Sequence, residues 1–147
     1  MKNNGGDLTF AGIGISQGSR SLAFSASQIP AGATVVILEQ NGSSFSSSDP
    51  YYSATATTTP VDSFEMSEDL VSVEDNGNNG LTVTNISDQT LSEVKILFKN
   101  YLKDDDAYVG GITYTITLND MEAGASTDVS ASHYDSEYSK VVGVQAK

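Results

Sequence analysis

Apolar residues along this chain recur mostly at every second position, the rhythm of a strand with one buried face. Phe10 to Ile15 carries Ile13 and Ile15 on one side and Gly12 and Gly14 on the other. After a Gln17-Gly18-Ser19 turn, Arg20 to Ala26 sends Leu22, Phe24 and Ala26 one way and Ser21, Ala23 and Ser25 the other, until Ile29-Pro30-Ala31-Gly32 breaks it. Thr34 to Leu38 is apolar on both faces, which predicts a strand covered on both sides. A polar loop, Asn41 to Asp49, comes next, with Phe45 as its one aromatic. Tyr51 to Thr58 then reads as a strand of aromatic and β-branched residues, ended by Pro60.

The second half repeats the rhythm more sharply. An acidic linker, Asp62 to Asp69, has room for a single helical turn. Leu70 to Glu74 and Leu81 to Asn85 are short strands around Asp75-Asn76-Gly77-Asn78-Asn79-Gly80, the strongest hairpin signal in the chain. Val94, Ile96 and Phe98 face in while Glu93, Lys95 and Lys99 face out. Ile112, Tyr114, Ile116 and Leu118 face in while Thr113, Thr115 and Thr117 face out. Ala125 to Ala131 comes after a Met121-Glu122-Ala123-Gly124 turn, and Tyr138 to Val144 is the last strand. With no helical period, the predicted class is an all-β sandwich rather than α/β.

Some of these strands match one another. A shift of 81 residues lays Asn4, Asp7, Phe10, Ile13 and Ile15 on Asn85, Asp88, Leu91, Val94 and Ile96. A shift of 92 lays Leu22, Phe24, Ile29 and Ala31-Gly32 on Tyr114, Ile116, Met121 and Ala123-Gly124, and a shift of 86 lays Tyr52-Ser53 on Tyr138-Ser139. The prediction is two tandem, related modules, residues 1–62 and 63–147. A module of roughly 60 residues buries only about 60% of its unfolded surface, so the two are expected to pack together. The second copy is preceded by a hairpin, Leu70 to Val83, whereas the first begins almost at residue 1. That predicts a truncated first module, with a strand and an export or anchoring segment upstream in the natural protein.

Charge narrows the partners. Seven Lys and Arg against nineteen Asp and Glu give a formal net charge of −12. A basic surface able to release counterions from nucleic acid is therefore lacking, and anionic membranes are disfavoured in the same way. Residues 1–62 hold Lys2 and Arg20 against Asp7, Glu39, Asp49 and Asp62, so most of the negative charge falls in the second half. The chain contains no cysteine, which excludes disulfides and thiol chemistry. No apolar run approaches the ~20 residues of a membrane helix, so direct membrane insertion of this segment is not expected.

The change of shift from 81 to 92 places eleven extra residues in the second copy near Lys99 to Gly110, Asp104-Asp105-Asp106-Ala107-Tyr108 among them. Clustered carboxylates on a loop can supply oxygens to Ca²⁺, which makes Asp104, Asp105 and Asp106 the candidate metal ligands. The bland alternative is a solvated acidic tip that keeps a strand edge soluble. His133, the single histidine, stands in Ser132-His133-Tyr134-Asp135. A catalytic triad is assembled in space with a buried acid and an oxyanion hole, so a hairpin-tip histidine is the expected reading rather than a hydrolase. Loop aromatics are rigid and amphipathic and suit protein recognition. Phe45, Tyr101, Tyr108, His133 and Tyr134 are accordingly the candidate binding surface, on loops Asn41 to Asp49, Lys99 to Gly110 and His133 to Glu137.

Val83, Asn85, Ser87, Leu91, Val94, Ile96 and Phe98, with the hydrophobic strand and the Ala123-Gly124 turn after them, resemble the immunoglobulin-like modules of the FxLYD type. The resemblance spans roughly Leu81 to Ser132 and extends more faintly to the first copy, with Phe98-Lys99-Asn100-Tyr101-Leu102-Lys103-Asp104 in place of the motif that names the family. It implies a β-sandwich from a secreted or lipid-anchored protein of Gram-positive bacteria, with no assigned chemistry. The expected function is thus a non-enzymatic, extracytoplasmic binding or structural module with no cofactor, whose partner is a protein or glycan at the cell surface. The alternative is a Ca²⁺-stabilised module.

Overall fold

A computed structural model describes residues 1–44, 48 and 52–147. Phe45, Asp49 and Tyr51 lie outside the described residues. Among the described residues there are ten strands and no helix: β1 (Leu8–Gln17), β2 (Arg20–Ile29), β3 (Thr34–Val36), β4 (Ser53–Pro60), β5 (Val71–Asp75), β6 (Gly80–Asn85), β7 (Leu91–Leu102), β8 (Ala107–Met121), β9 (Ser126–Ser130) and β10 (Ser139–Ala146). The protein is all-β, with several sheets. The acidic linker ends in a single turn that is not continued into a helix: Leu70 N and Val71 N both donate to Ser67 O at 2.9 Å, the second an i to i+4 bond of the helical kind.

The chain divides into two compact units. The first is Met1–Ser63 with Ala107–Ile112, and the second is Phe64–Asp106 with Thr113–Lys147. Strand β8 therefore contributes to both, and Gly110-Gly111 lies in the piece that joins the first.

In the first unit, β1 lies between β2 and β4, antiparallel to each. Cross-strand rows put Phe24, Ile13 and Ala56 in line, and likewise Leu22, Ile15 and Ala54. One face of this sheet is therefore apolar, as the alternation predicts. Strand β3 is flanked by the isolated bridge Lys2–Thr34 on one side and by Ala107–Val109, in parallel, on the other. Val35 is buried, whereas Val36 and Leu38 are exposed, Leu38 by 82%. The strand is thus covered on the face that carries Val35 and open on the face that carries Val36 and Leu38, so the expectation of cover on both sides fails. Gly111 explains how β8 approaches so closely: a Cβ there would lie 2.0 Å from the Ser25 carbonyl oxygen.

In the second unit, β7 lies between β10 and β8, and β6 between β5 and β9. The two three-stranded layers meet over a core of Val71, Leu81, Val83, Leu91, Val94, Ile96, Phe98, Met121, Tyr134 and Val144. The inward positions Val94, Ile96 and Phe98 are those the alternation selects. Two residues depart from their expected side. Lys99, expected outside, does not reach solvent: its side chain is fully buried and its ammonium donates to Thr113 Oγ1 at 3.3 Å. Ile112, expected inside, is 63% exposed and is the last residue of the β8 piece that belongs to the first unit. The period of two assigns a sheet face, not the cover on that face.

Each unit carries the same asparagine device. Asn85, buried, ends β6; its Nδ2 donates to Gln89 O at 2.8 Å, Met121 O at 2.9 Å and Glu122 O at 3.0 Å, while its Oδ1 accepts from Ser87 N at 3.0 Å. In the first unit Asn3 Nδ2 donates to Gly6 O at 2.8 Å, Ile29 O at 3.4 Å and Pro30 O at 3.0 Å, and Oδ1 accepts from Gly5 N at 3.0 Å. The turns they grip correspond as well. Ala33 N donates to Pro30 O around Gly32 (φ 74°), and Ala125 N donates to Glu122 O around Gly124 (φ 72°). Positive φ at Gln28 and Asp120 precedes each turn. The partner of Asn85 is thus Asn3, one residue earlier than the Asn4 that the sequence match selects.

Candidate binding surface

Three connections at one end of the second unit are tied together: the β5–β6 turn, the β7–β8 turn and the segment between β9 and β10. The β5–β6 turn is built by its own side chains, Asp75 Oδ1 accepting from Gly77 N at 2.7 Å and Asn76 Oδ1 from Asn78 N at 2.9 Å, as short polar residues before a turn commonly do. Asp75 then reaches across. It accepts from Ser136 Oγ at 2.8 Å and from Tyr134 Oη at 2.9 Å. These donors, the Gly77 N–H foremost and then Ser136, hold its carboxyl below the ordinary carboxylate range. Ser136 N also donates to Asn79 Oδ1 at 3.4 Å, and Lys103 Nζ to Ser136 O at 3.4 Å.

Tyr134 is the anchor of this arrangement. Predicted as a contact residue, it is instead buried, its ring edge-on to Phe98 at 5.3 Å between centroids. Burial, and then the Asp75 carboxylate, push its hydroxyl pKa up. His133 lies at the other end of an aromatic run: exposed, it stacks on Tyr114 at 4.5 Å, and Tyr114 stacks on Phe98 at 5.4 Å. Asp135 turns Oδ1 to the N–H groups of Glu137 (2.8 Å) and Tyr138 (3.1 Å), so it closes the loop.

Tyr101 is half-buried; its hydroxyl donates to Asp106 Oδ1, which raises its pKa, and the Lys140 ammonium sits 4.7 Å from its ring centroid. Asp104, Asp105 and Asp106 are all exposed on the tip Lys103–Asp106, where Asp106 N donates to Lys103 O. Among the described residues no group of three or more His, Cys, Asp or Glu is arranged to hold a metal ion. Tyr108 is not part of this surface. It belongs to the first unit, is 5% exposed and pairs with Val35. The extra residues, expected as a loop, mostly lengthen β7 and β8, because Tyr101, Leu102, Tyr108 and Val109 suit a strand and go on pairing.

The face therefore exposes His133, Tyr138 (50% exposed), Asp104, Asp105 and Glu137, over a hydrogen-bonded base of Asp75, Tyr134 and Ser136. The carboxylates of Glu137, Asp135 and Asp104 raise the Tyr138 pKa, which marks the local field as negative. Sequence reasoning sees Tyr138 beside a loop but leaves it out of the candidate surface, and it misses Asp75. The first reads as the start of a strand, and the second as part of a turn. In the first unit, the described part of loop Asn41 to Asp49 is organised by Glu39, which accepts from Ala23 N (3.0 Å), Asn41 N (2.8 Å) and Ser43 N (2.7 Å).

No family model, curated protein or solved structure matches this chain.

Proposed function

We propose that the protein is a non-enzymatic binding or structural module of a secreted or surface-exposed bacterial protein, made of two related immunoglobulin-like β-sandwich units. The paired Asn3 and Asn85 devices support the relatedness of the units. Their strand orders support it too, with β2-β1-β4 matched by β8-β7-β10. The observation that carries the binding reading is the fixed three-loop face of the second unit. A loop surface held by internal hydrogen bonds loses little conformational freedom on docking, and this one presents the exposed Tyr138 ring among carboxylates, with His133 exposed on the same connection. Its partner is a protein with a basic patch or a polar glycan.

The test is to immobilise the chain and pass cell-wall glycans and basic surface proteins over it at low and at physiological salt. Binding that is weakened by salt, and lost in an Asp104→Asn/Asp105→Asn/Glu137→Gln/Tyr138→Ala variant that still folds, supports the reading. Unchanged binding by that variant, or turnover of generic ester or glycoside substrates that His133→Ala abolishes, overturns it. A Ca²⁺-dependent rise in melting temperature, removed by Asp105→Asn, would favour the calcium-stabilised alternative.

A further inference from the structure

Strand β4 differs from every other strand in its exposure: all eight residues from Ser53 to Pro60 face solvent. It is the edge of the β2-β1-β4 sheet, paired only with β1 among the described residues. Edge strands present unpaired N–H and C=O groups, and proteins ordinarily blunt them with charge, bulges or a covering segment. The sister strand shows that blunting. Along β10, Val144 N donates to Glu65 O at 2.8 Å and Ala146 N to Ser67 Oγ at 3.2 Å, so the Phe64–Ser67 segment covers its free edge, and Val142 and Val144 are buried. Among the described residues β4 has no such cover; Ser53 to Thr59 contains no charged residue and no proline, and the register shift beside Leu8 touches only the Pro60 end.

We propose that β4 is a self-association edge, on which the β4 strand of a second copy of this chain adds in antiparallel register about a two-fold axis. The sequence is self-complementary in that arrangement. With the axis at Ala56, Ala56 meets its own copy, Thr55 meets Thr57 of the second copy, and Ala54 meets Thr58. Thr–Thr pairs across strands are favourable, and no like charges are opposed. A two-fold contact of this kind is closed and does not propagate. It also extends the apolar face, since Ala54 and Ala56 lie in rows with Ile15 and Ile13. That face opens into a groove of about 220 Å³ lined by Met1, Ile13, Ile15, Phe24 and Ile37. The pairing sets two such grooves on one face of a continuous six-stranded sheet. Because the chain carries a net charge of −12, the dimer is strengthened by salt, the opposite of what an acidic recognition face gives.

Sedimentation equilibrium of the full chain over a wide concentration range, at low and high salt, reads the mass. The expected result is a rise from 15.4 kDa toward twice that value, favoured by salt, and a Thr55→Lys/Thr57→Lys variant that stays at the monomer mass with an unchanged circular dichroism spectrum. Because the chain has no cysteine, Ala56→Cys reports the axis directly: it cross-links to itself under mild oxidation, and Thr117→Cys, on an exposed position of β8, does not. A wild type that remains monomeric at every concentration, a lysine variant that associates like the wild type, or equal cross-linking by the two cysteine variants each overturns the proposal.

Discussion

Asn3 and Asn85 make nearly the same hydrogen bonds and are both buried, but the units around them are closed to different degrees. Asn85 is wholly buried, in the unit whose core is closed between two layers. Asn3 is 7% exposed, in a unit whose sheet is apolar on one side and open along β4. One local device thus operates in two surroundings, and a hydrogen bond's worth depends on what replaces it when it is lost. A buried carbonyl left unpaired costs about 1–3 kcal/mol, while one that water can reach costs little.

The sharpest way to break that comparison is substitution of the two asparagines. Asn85→Ala is expected to lower stability by about 3 kcal/mol and Asn3→Ala by about 1 kcal/mol. Asn85→Asp should be worse than Asn85→Ala at pH 7, because it sets a carboxylate against carbonyl oxygens. Urea unfolding followed by tyrosine fluorescence reads all three, and equal losses for the two alanine variants would end the distinction.

Close backbone approaches give the next test. Gly111 in the first unit and Gly80 in the second leave no room for a methyl group, the nearest carbonyl oxygens lying 2.0 Å (Ser25) and 2.5 Å (Val129) from an added Cβ. Each Gly→Ala change is expected to cost about 2 kcal/mol, as overpacking against backbone does. Thermal melts of both variants check it, and a neutral Gly111→Ala would remove the tight seam assigned to the first unit.

The second unit also holds a buried cation with no buried charged counterpart among the described residues of the first. Desolvation lowers the Lys99 pKa to about 8. A lysine whose folded pKa is depressed costs stability at neutral pH, where the unfolded chain holds its proton freely. That cost fades as pH rises from about 8 toward the ordinary value of 10.5. Lys99→Met is therefore expected to stabilise at pH 7 by on the order of 1 kcal/mol, with the gain shrinking by pH 10. Melting curves at the two pH values decide it.

The smallest expected effect is at the loop base. Tyr134→Phe removes one donor to Asp75 and should cost about 1 kcal/mol at pH 7. Asp75 has a lowered folded pKa, so this contribution is present above the ordinary 3.8 and lost as pH falls through the lower folded value. The deficit of the variant should close in acid, as unfolding at pH 7 and pH 3 would reveal.

Ile13, Phe24, Val94, Ile96 and Phe98 announce their strands in the sequence because period-two alternation is a local property of the chain. The Asn-containing turns are visible as a match between two stretches, but the carboxamide's partners sit far along the sequence, and a one-residue offset hides Asn3. Tyr108 and Lys99 defeat the pattern for a shared reason: exposure depends on the neighbours a strand acquires in three dimensions, and neither residue's own sequence context names them. Of the three-loop face, the loops are legible. The hydrogen bonds linking Asp75 to Ser136 and Tyr134 span 61 and 59 positions and leave no local signature.

Because residues Ala107–Ile112 supply a strand to the first unit, that unit cannot be completed while the ribosome is still working on the middle of the message. Early in synthesis β3 waits without its neighbour, and the amino-terminal region closes only after much of the carboxyl-terminal one has already emerged. The two units, however alike in outline, are bound to mature on a common schedule.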